Sequence, residues 1–240
     1  MNFSIDLTLG GVEYTISPAV VNVFLVCIVL SIIFIIVGKK AEKADFRKKP
    51  KGILQFAEIY VEFVDNLTKQ TMGKANFRFA PYMGALFLLL IVSNLSGMLG
   101  FTPPTSDYNV TLGLALITFF LTEFNAIRFN GIGNYLKGFF EPIPFLAPLN
   151  VLNIFANPVS MSFRLFGNIV GGSIIMGLVY MAFSGIKKFL APILTSFLHG
   201  YFDVFAGLLQ AFVFLMLTMV YIGGAIGDRE EEVEVEEIRN

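Results

Sequence analysis

One apolar run of the chain holds a single cation at its centre: Pro158-Val159-Ser160-Met161-Ser162-Phe163-Arg164-Leu165-Phe166-Gly167-Asn168. The nearest other charges in the sequence are Glu141 and Lys187, each more than twenty residues away. A guanidinium stays protonated in proteins, so it cannot lower its cost in lipid by losing the proton. That cost at a bilayer centre runs from roughly 2.5 kcal/mol to more than about 10 kcal/mol. We therefore expect Arg164 to act against a buried carboxylate or a water-filled cavity, rather than to pair locally.

The composition is that of a membrane protein. The 240 residues are 55% hydrophobic and 15% charged, with a net charge of −1. Soluble domains carry about 25% charged residues, so we predict an all-α polytopic membrane protein and do not expect nucleic acid as a partner. The single cysteine, Cys27, and the single histidine, His199, exclude a disulfide framework and a multi-histidine metal cluster. No motif for a cofactor is present, and no cofactor is expected.

Five apolar segments are long enough to cross a bilayer core of about 30 Å as helices. They cover residues 16–37, 81–101, 110–127, 149–184 and 190–226 of a single membrane domain. A basic cluster from Lys39 to Lys51 follows the first crossing, and the positive-inside rule places it in the cytoplasm. The N-terminal segment 1–15 is then expected outside the membrane, and the acidic tail 227–240 is expected in the cytoplasm.

Residues 38–76 combine the basic loop with an amphipathic pattern. Leu54, Ile59 and Phe63 belong to a series of apolar side chains that recur at helical spacing among polar and acidic ones. This pattern predicts a helix that is too polar to span and lies on the cytoplasmic interface. Packing against a soluble partner is the alternative. The loop from Pro103 to Asp107 has no basic residue and is expected outside.

The last two apolar segments are too long for upright crossings. Each has roughly 36 residues, or about 54 Å as a straight helix, and transmembrane helices rarely tilt beyond about 40°. We therefore expect either broken helices or two helices that lie strongly slanted in the membrane. No internal repeat accompanies them, so an inverted-repeat transporter gains no support.

Polar residues form a stripe on each of these two segments. Ser160, Arg164 and Asn168 share one face of the first, with glycines beside them that would let another helix pass closely. His199, Asp203 and Gln210 form the second stripe. If the second helix runs from outside inward, Gln210 lies near the depth of Arg164.

The same estimate of depth brings Asp203 close to Ser173 in the outer half of the membrane. An intramembrane carboxylate is a candidate for handling protons or cations. We therefore predict a hydrated outer pocket lined by Ser173, Asp203 and His199. The alternative is that Asp203 only pairs with His199 as a structural contact.

The run around Arg164 resembles the sequence around the essential arginine of subunit a in F-type ATP synthases. The segments Leu209-Gln210-Ala211-Phe212-Val213-Phe214 and Leu217-Thr218-Met219-Val220-Tyr221 are similar to the final helix of that family. Asn94-Leu95 and Asp107-Tyr108-Asn109-Val110-Thr111-Leu112 match more weakly, in the expected order. Together these matches cover most of the chain from Phe77 to Ile222.

The resemblance implies an ion-translocating stator that has no catalytic site of its own. Its two long slanted helices would face a ring of c subunits, with the peripheral-stalk subunit b and the lipid bilayer as further partners, in a bacterial plasma membrane. Arg164 would face the carboxylate of the c-ring, and Asn168 and Gln210 would flank that contact. Ser160 would lie toward the cytoplasmic half-channel.

The chain departs from one common pattern of the family at two positions. Many members have an ionisable side chain where this chain has Ser173, and many have His or Glu where it has Asp203. The outer path is therefore expected to rest on one carboxylate plus water, and the choice between H⁺ and Na⁺ stays open. The alternative function is a secondary transporter that binds an anionic substrate at Arg164, which predicts a broken helix or a repeat there. An intramembrane hydrolase lacks a nucleophile–base pair.

Overall fold

The structure, a computed structural model, describes residues 5–9, 12–44, 49–141, 143–183 and 190–226. Residues 184–189, where the last two predicted crossings meet, and the acidic tail 227–240 lie outside the described residues, as do Arg47 and Lys48 of the basic cluster. Five of the helices in the described part are long and apolar enough to cross a membrane. The prediction of a helical, polytopic membrane protein is confirmed.

The helices follow one another with short 3₁₀ turns between several of them. They are α1 (Pro18–Glu42), α2 (Ile53–Met72), α3 (Ala80–Leu95), α4 (Tyr108–Gly138), α5 (Ala147–Phe183), α6 (Leu190–His199) and α7 (Gly207–Ile226). Residues Gly200–Ala206 between α6 and α7 have π-helical geometry. The helices α6 and α7 and this π segment therefore make one continuous helical element over the described residues 190–226.

A small β-hairpin precedes α1, where only an external segment was expected. The strands β1 (Ile5–Leu9) and β2 (Val12–Ile16) are antiparallel, with Ile5 opposite Ile16 and Leu9 opposite Val12. The sequence carried a signal for it, because apolar residues alternate on both sides of the pair Gly10-Gly11. A pair of glycines between alternating runs is a recognised hairpin signal.

The helix α4 is longer than the crossing predicted over 110–127. It continues to Gly138 and bends at Gly131, whose backbone has φ 76° and ψ 151°. The bend brings the hydroxyl of Tyr135 into a hydrogen bond with the carboxylate of Glu123, twelve residues earlier. An unbroken helix would hold these residues about 18 Å apart. Glycine permits this conformation because it has no Cβ.

The chain divides into two compact units. The first comprises Met1–Val26, Leu90–Ile117 and Leu152–Phe214. Its core includes Met161, Leu165 and Met176 from α5 and Ala211 from α7. The side-chain amide of Asn22 in α1 donates to the carbonyl oxygen of Thr102 over 2.8 Å. This unit contains every side chain that the sequence analysis assigned to the ion pathway.

The second unit comprises Cys27–Leu89, Thr118–Val151 and Leu215–Asn240. The amphipathic helix α2 buries Val64 and Met72 against Met83 of α3 and Leu215 of α7. Tyr60 of α2 donates to the carbonyl oxygen of Gly84 over 2.6 Å, and burial raises the pKa of that phenol. The other side of α2 leaves several apolar side chains exposed, namely Phe56, Ile59 and Phe63. A helix with two apolar sides of this kind fits packing on its own chain and contact with lipid.

Candidate functional site

Arg164 points away from the buried side of α5. The helix runs unbroken from Ala147 to Phe183, with Pro158 inside it. Leu165 and Met161 are fully or almost fully buried, which fixes the rotation of α5 and leaves Arg164 exposed. Among the described residues, no carboxylate forms an ion pair with Arg164. A continuous helix at this position does not fit the broken helix that the transporter alternative requires.

The exposed face of α5 that carries Arg164 is mostly apolar, with a few small polar side chains. Phe163 is exposed next to Arg164, and Ile174 and Leu178 are exposed further along α5. Ser160 and Gly167, each within about one turn of Arg164, are exposed as well. In lipid, neither the exposed apolar side chains nor the glycine carries a cost, but the guanidinium does. This face of α5 therefore combines a surface suited to lipid or another helix with one charge that is costly to leave in lipid.

The helix that carries Asp203 has an irregularity at this residue. Asp203 lies inside the π segment Gly200–Ala206, and short π segments inside helices occur frequently at functional sites. Gly172 of α5 lies next to Phe202 of this segment, and a Cβ at position 172 would make an ordinary van der Waals contact of 3.5 Å with that side chain.

Asp203 is hydrogen-bonded to His199, one turn earlier on its own helix. The Nδ1 atom of His199 lies 2.6 Å from Oδ2 of Asp203. The Nε2 atom of the same imidazole lies 2.7 Å from the hydroxyl oxygen of Tyr180 on α5. The structure thus brings together two predicted site residues, and it adds Tyr180, which the sequence analysis missed. No spacing rule reveals Tyr180, because the contact joins two different helices.

Ser173 is not bonded to this cluster. Its hydroxyl donates to the carbonyl oxygen of Val170 on its own helix over 2.8 Å, and the side chain is exposed. The geometric estimate placed Ser173 beside Asp203, and no hydrogen bond within the described part of the chain joins them. The hydroxyl is used locally because a serine inside a helix readily donates to a carbonyl of the preceding turn.

Two asparagines hold the end of the π segment. The amide of Asn168 donates to the carbonyl oxygen of Ala206 over 3.3 Å, and the amide of Asn94 donates to that of Gly207 over 2.8 Å. A π segment displaces carbonyls from the regular helical ladder, so side-chain donors can bind them. Asn168, predicted to flank the ion contact, therefore also fixes the backbone of the helix that carries Asp203.

Gln210 is buried, and its amide nitrogen has no hydrogen-bond partner in the described part of the chain. Leaving a buried donor unpaired costs about 1–3 kcal/mol. Such a donor marks a position where a polar group from outside this chain would be stabilised. Clusters of three or more side chains able to hold a metal ion are not found among the residues that the structure describes.

Comparison with known proteins identifies the family. A family model for the ATP synthase A chain matches residues 20–223. The chain is 36% identical over 245 residues to the sodium ion specific ATP synthase subunit a of Propionigenium modestum, with 95% of this chain and 80% of the relative covered. It is 37% identical over 216 residues to ATP synthase subunit a of Sulfurihydrogenibium sp., with 88% and 98% covered.

A third relative is ATP synthase subunit a of Lysinibacillus sphaericus, which is 33% identical over 225 residues, with 89% of this chain and 94% of the relative covered. The resemblance drawn from the sequence is confirmed by these matches. Together with the five helices able to span a membrane, they show that the chain belongs to the ATP synthase A chain family and is a multi-pass membrane component of an ATP synthase complex.

Proposed function

We propose that the chain is the stator that conducts the coupling ion through two offset half-channels, to and from carboxylates on a ring of c subunits. The observation that carries this proposal is the state of Arg164, a permanent cation on an exposed and mostly apolar face. None of the described residues supplies an acidic partner. We infer that the acidic partner of Arg164 is a carboxylate of a c subunit.

The electrostatics of such a contact would couple ion binding to movement of the c-subunit carboxylate. At about 4 Å and an effective dielectric constant of about 20, two opposite unit charges attract by about 4 kcal/mol. An emptied, ionised carboxylate is therefore drawn to Arg164 and held out of lipid. A carboxyl that has bound an ion is neutral and is no longer held, so it can turn into the hydrocarbon without the desolvation cost of a charge. Arg164 also repels a cation that would leak directly between the two half-channels.

Gln210 and Asn168 would flank this contact. The unpaired amide nitrogen of Gln210 is a buried donor, and an ionised carboxylate accepts several hydrogen bonds. Gln210 would thus add a donor beside the guanidinium. Asn168 keeps the two long helices in register through Ala206.

Asp203 would receive the ion in the outer half-channel, with Ser173 exposed on α5 as a polar group on the route and Ser160 on the route to the cytoplasm. We place the N-terminus outside and the C-terminus in the cytoplasm, because of the basic residues after α1. The proposed location is a bacterial plasma membrane. Subunit b is a further proposed partner. The name of the Propionigenium modestum relative specifies Na⁺ for that protein, and both H⁺ and Na⁺ fit a path through one carboxylate.

The test compares Arg164→Ala with Arg128→Ala in purified complexes reconstituted into vesicles. Arg128 is a matched control, since it is exposed on α4 and its guanidinium lies 5.9 Å from the ring of Phe129. We expect Arg164→Ala to abolish ATP-driven ion pumping while ATP hydrolysis persists, and Arg128→Ala to retain pumping. Pumping at the parental rate by Arg164→Ala would overturn the proposal.

A further inference from the structure

Three ionisable side chains form an unbroken chain of hydrogen bonds between two long helices. The phenol of Tyr180 on α5 reaches Nε2 of His199 over 2.7 Å. Nδ1 of His199 reaches Oδ2 of Asp203 over 2.6 Å. The ring centroids of Tyr180 and His199 lie 6.0 Å apart, with the rings inclined at 46°. The imidazole is therefore held at both of its nitrogen atoms.

We propose that Tyr180 is a positioning residue of the outer ion path, whose phenol orients His199 so that the imidazole fixes the carboxylate of Asp203. The inference rests on the proposed function, because it concerns the residue assigned to the outer half-channel. Tyr180 touches no ion in this account. It acts on Asp203 only through His199.

The hydrogen-bonding capacity of imidazole supports this role. A neutral imidazole has one donor and one acceptor nitrogen. Opposite an ionised carboxylate, Nδ1 must carry the proton, so Nε2 accepts a hydrogen bond from the phenol of Tyr180. The phenol thereby selects the tautomer that donates to Asp203. A partner on the far nitrogen that fixes the tautomer and the ring orientation is a common feature of functional histidines.

The hydrogen bond to His199 leaves one oxygen of the Asp203 carboxylate available to bind an ion. Only Oδ2 of Asp203 accepts the bond from His199, and Oδ1 has no hydrogen bond to any residue that the structure describes. The side chains of His199 and Asp203 are 42% and 34% exposed. An entirely structural pair would be expected to be buried, since burial is what makes a pair of this kind strong. In this proposal the bonded oxygen sets the direction of the carboxylate, and the other oxygen is left to bind the ion.

The other ionisable side chains described in the same unit do not compete for Asp203. Tyr108 packs against Phe163 and Phe166, and Asp107 accepts a hydrogen bond from the backbone of Asn109. Arg164 has no ion pair within the described part of the chain. Asp203 is therefore oriented from its own helix by His199 and from α5 by Tyr180 through that histidine.

Tyr201 supplies a matched control for Tyr180. Both tyrosines are 50% exposed. The ring of Tyr201 packs against Phe202 and Phe205 with centroids 5.1 Å and 5.7 Å away. Its hydroxyl makes no hydrogen bond to a described residue. Removing that hydroxyl changes the same chemical group at a similar exposure without touching the chain of hydrogen bonds.

The experiment measures ATP synthesis driven by an imposed ion gradient, expressed per assembled complex, in purified complexes reconstituted into vesicles. Tyr180→Phe keeps the ring and removes the hydroxyl. Because one hydrogen bond is lost, we expect the rate to fall by about threefold to tenfold. Tyr201→Phe should keep the parental rate. Equal rates for Tyr180→Phe and the parent would overturn the inference.

Two further variants separate positioning from a general structural effect. His199→Gln keeps an amide that can donate to Asp203 and accept from Tyr180, whereas His199→Leu can do neither. We expect His199→Gln to retain most of the rate and His199→Leu to lose at least as much as Tyr180→Phe. Tyr180→Phe combined with His199→Leu should be no slower than His199→Leu alone, because Tyr180 acts through the histidine.

Two results would contradict the positioning role. One is a rate for His199→Gln as low as that for His199→Leu, and the other is a further loss in the double variant. If the proposed role of Asp203 in the outer half-channel is wrong, Asp203→Asn keeps the parental rate, and this result is distinguishable from the two above. If Asp203→Asn is slow while Tyr180→Phe is unaffected, the proposed function stands and only this inference fails.

Discussion

The side-chain amide nitrogen of Asn94 lies 2.8 Å from the carbonyl oxygen of Gly207, the first residue after the π segment. Thr105 donates in turn to the amide oxygen of Asn94 over 2.8 Å. Asn94 is 3% exposed, and a Cβ at Gly207 would lie 3.3 Å from its side chain. The contact therefore joins α3 closely to the helix that carries Asp203, and it explains why an amide and a glycine stand at these two positions.

Replacing Asn94 by Leu should destabilise the chain. The carbonyl oxygen of Gly207 and the hydroxyl of Thr105 would both lose their partner in a buried site, at a cost of about 1–3 kcal/mol. The measurement is the thermal stability of the purified complex. Asn130→Leu is the control, because the amide of Asn130 also donates to a backbone carbonyl, that of Ala225, but the side chain is exposed. Equal losses of thermal stability in the two variants would show that the buried contact of Asn94 stabilises the complex no more than the exposed contact of Asn130.

Replacing Asp203 by Asn should slow ion-driven ATP synthesis, measured per assembled complex, by at least about tenfold, since a positioned ionisable group commonly contributes about 10² or more to proton transfer. The amide keeps the size of the carboxylate and removes its charge. Ser173→Ala should change the rate by less than about threefold, because the hydroxyl of Ser173 is already bonded to Val170. If Asp203→Asn lowers only the yield of complex and not the rate, the carboxylate is a structural partner of His199.

Single cysteines should report the orientation of the chain in the membrane. After Cys27, the one native cysteine, is replaced by alanine, a cysteine at Lys40 is expected to react with a membrane-impermeant thiol reagent only from the cytoplasmic side. A cysteine at Ser106, in the turn before α4, is expected to react only from outside. Labelling of the Lys40 position from outside would contradict the proposed topology.

The membrane helices could be predicted from the sequence because long apolar runs have few alternatives in lipid. The run around Arg164 and its resemblance to the family could also be recognised from the sequence. The contacts between helices could not be predicted from it. Tyr180 carries no pattern that points to His199, and the partners of Asn94 and Asn168 depend on a π segment that periodicity does not reveal. The extension of α4 past Ile127 was also not predicted, because its last turns are polar. The bend at Gly131, which lets Tyr135 bond to Glu123, has no periodic pattern in the sequence.

The most direct measurement is disulfide cross-linking between the face of α5 that carries Arg164 and the c subunits, in the background without Cys27. Ser160→Cys and Gly167→Cys place thiols on that face, and both positions are exposed. Val159→Cys is the control, since Val159 is also exposed but points about 140° away from Arg164 around the helix. With cysteines placed beside the carboxylate of the c subunit, we predict cross-links from Ser160→Cys and Gly167→Cys and none from Val159→Cys. Cross-linking from Val159→Cys alone, or from none of the three in an assembled complex, would contradict the account.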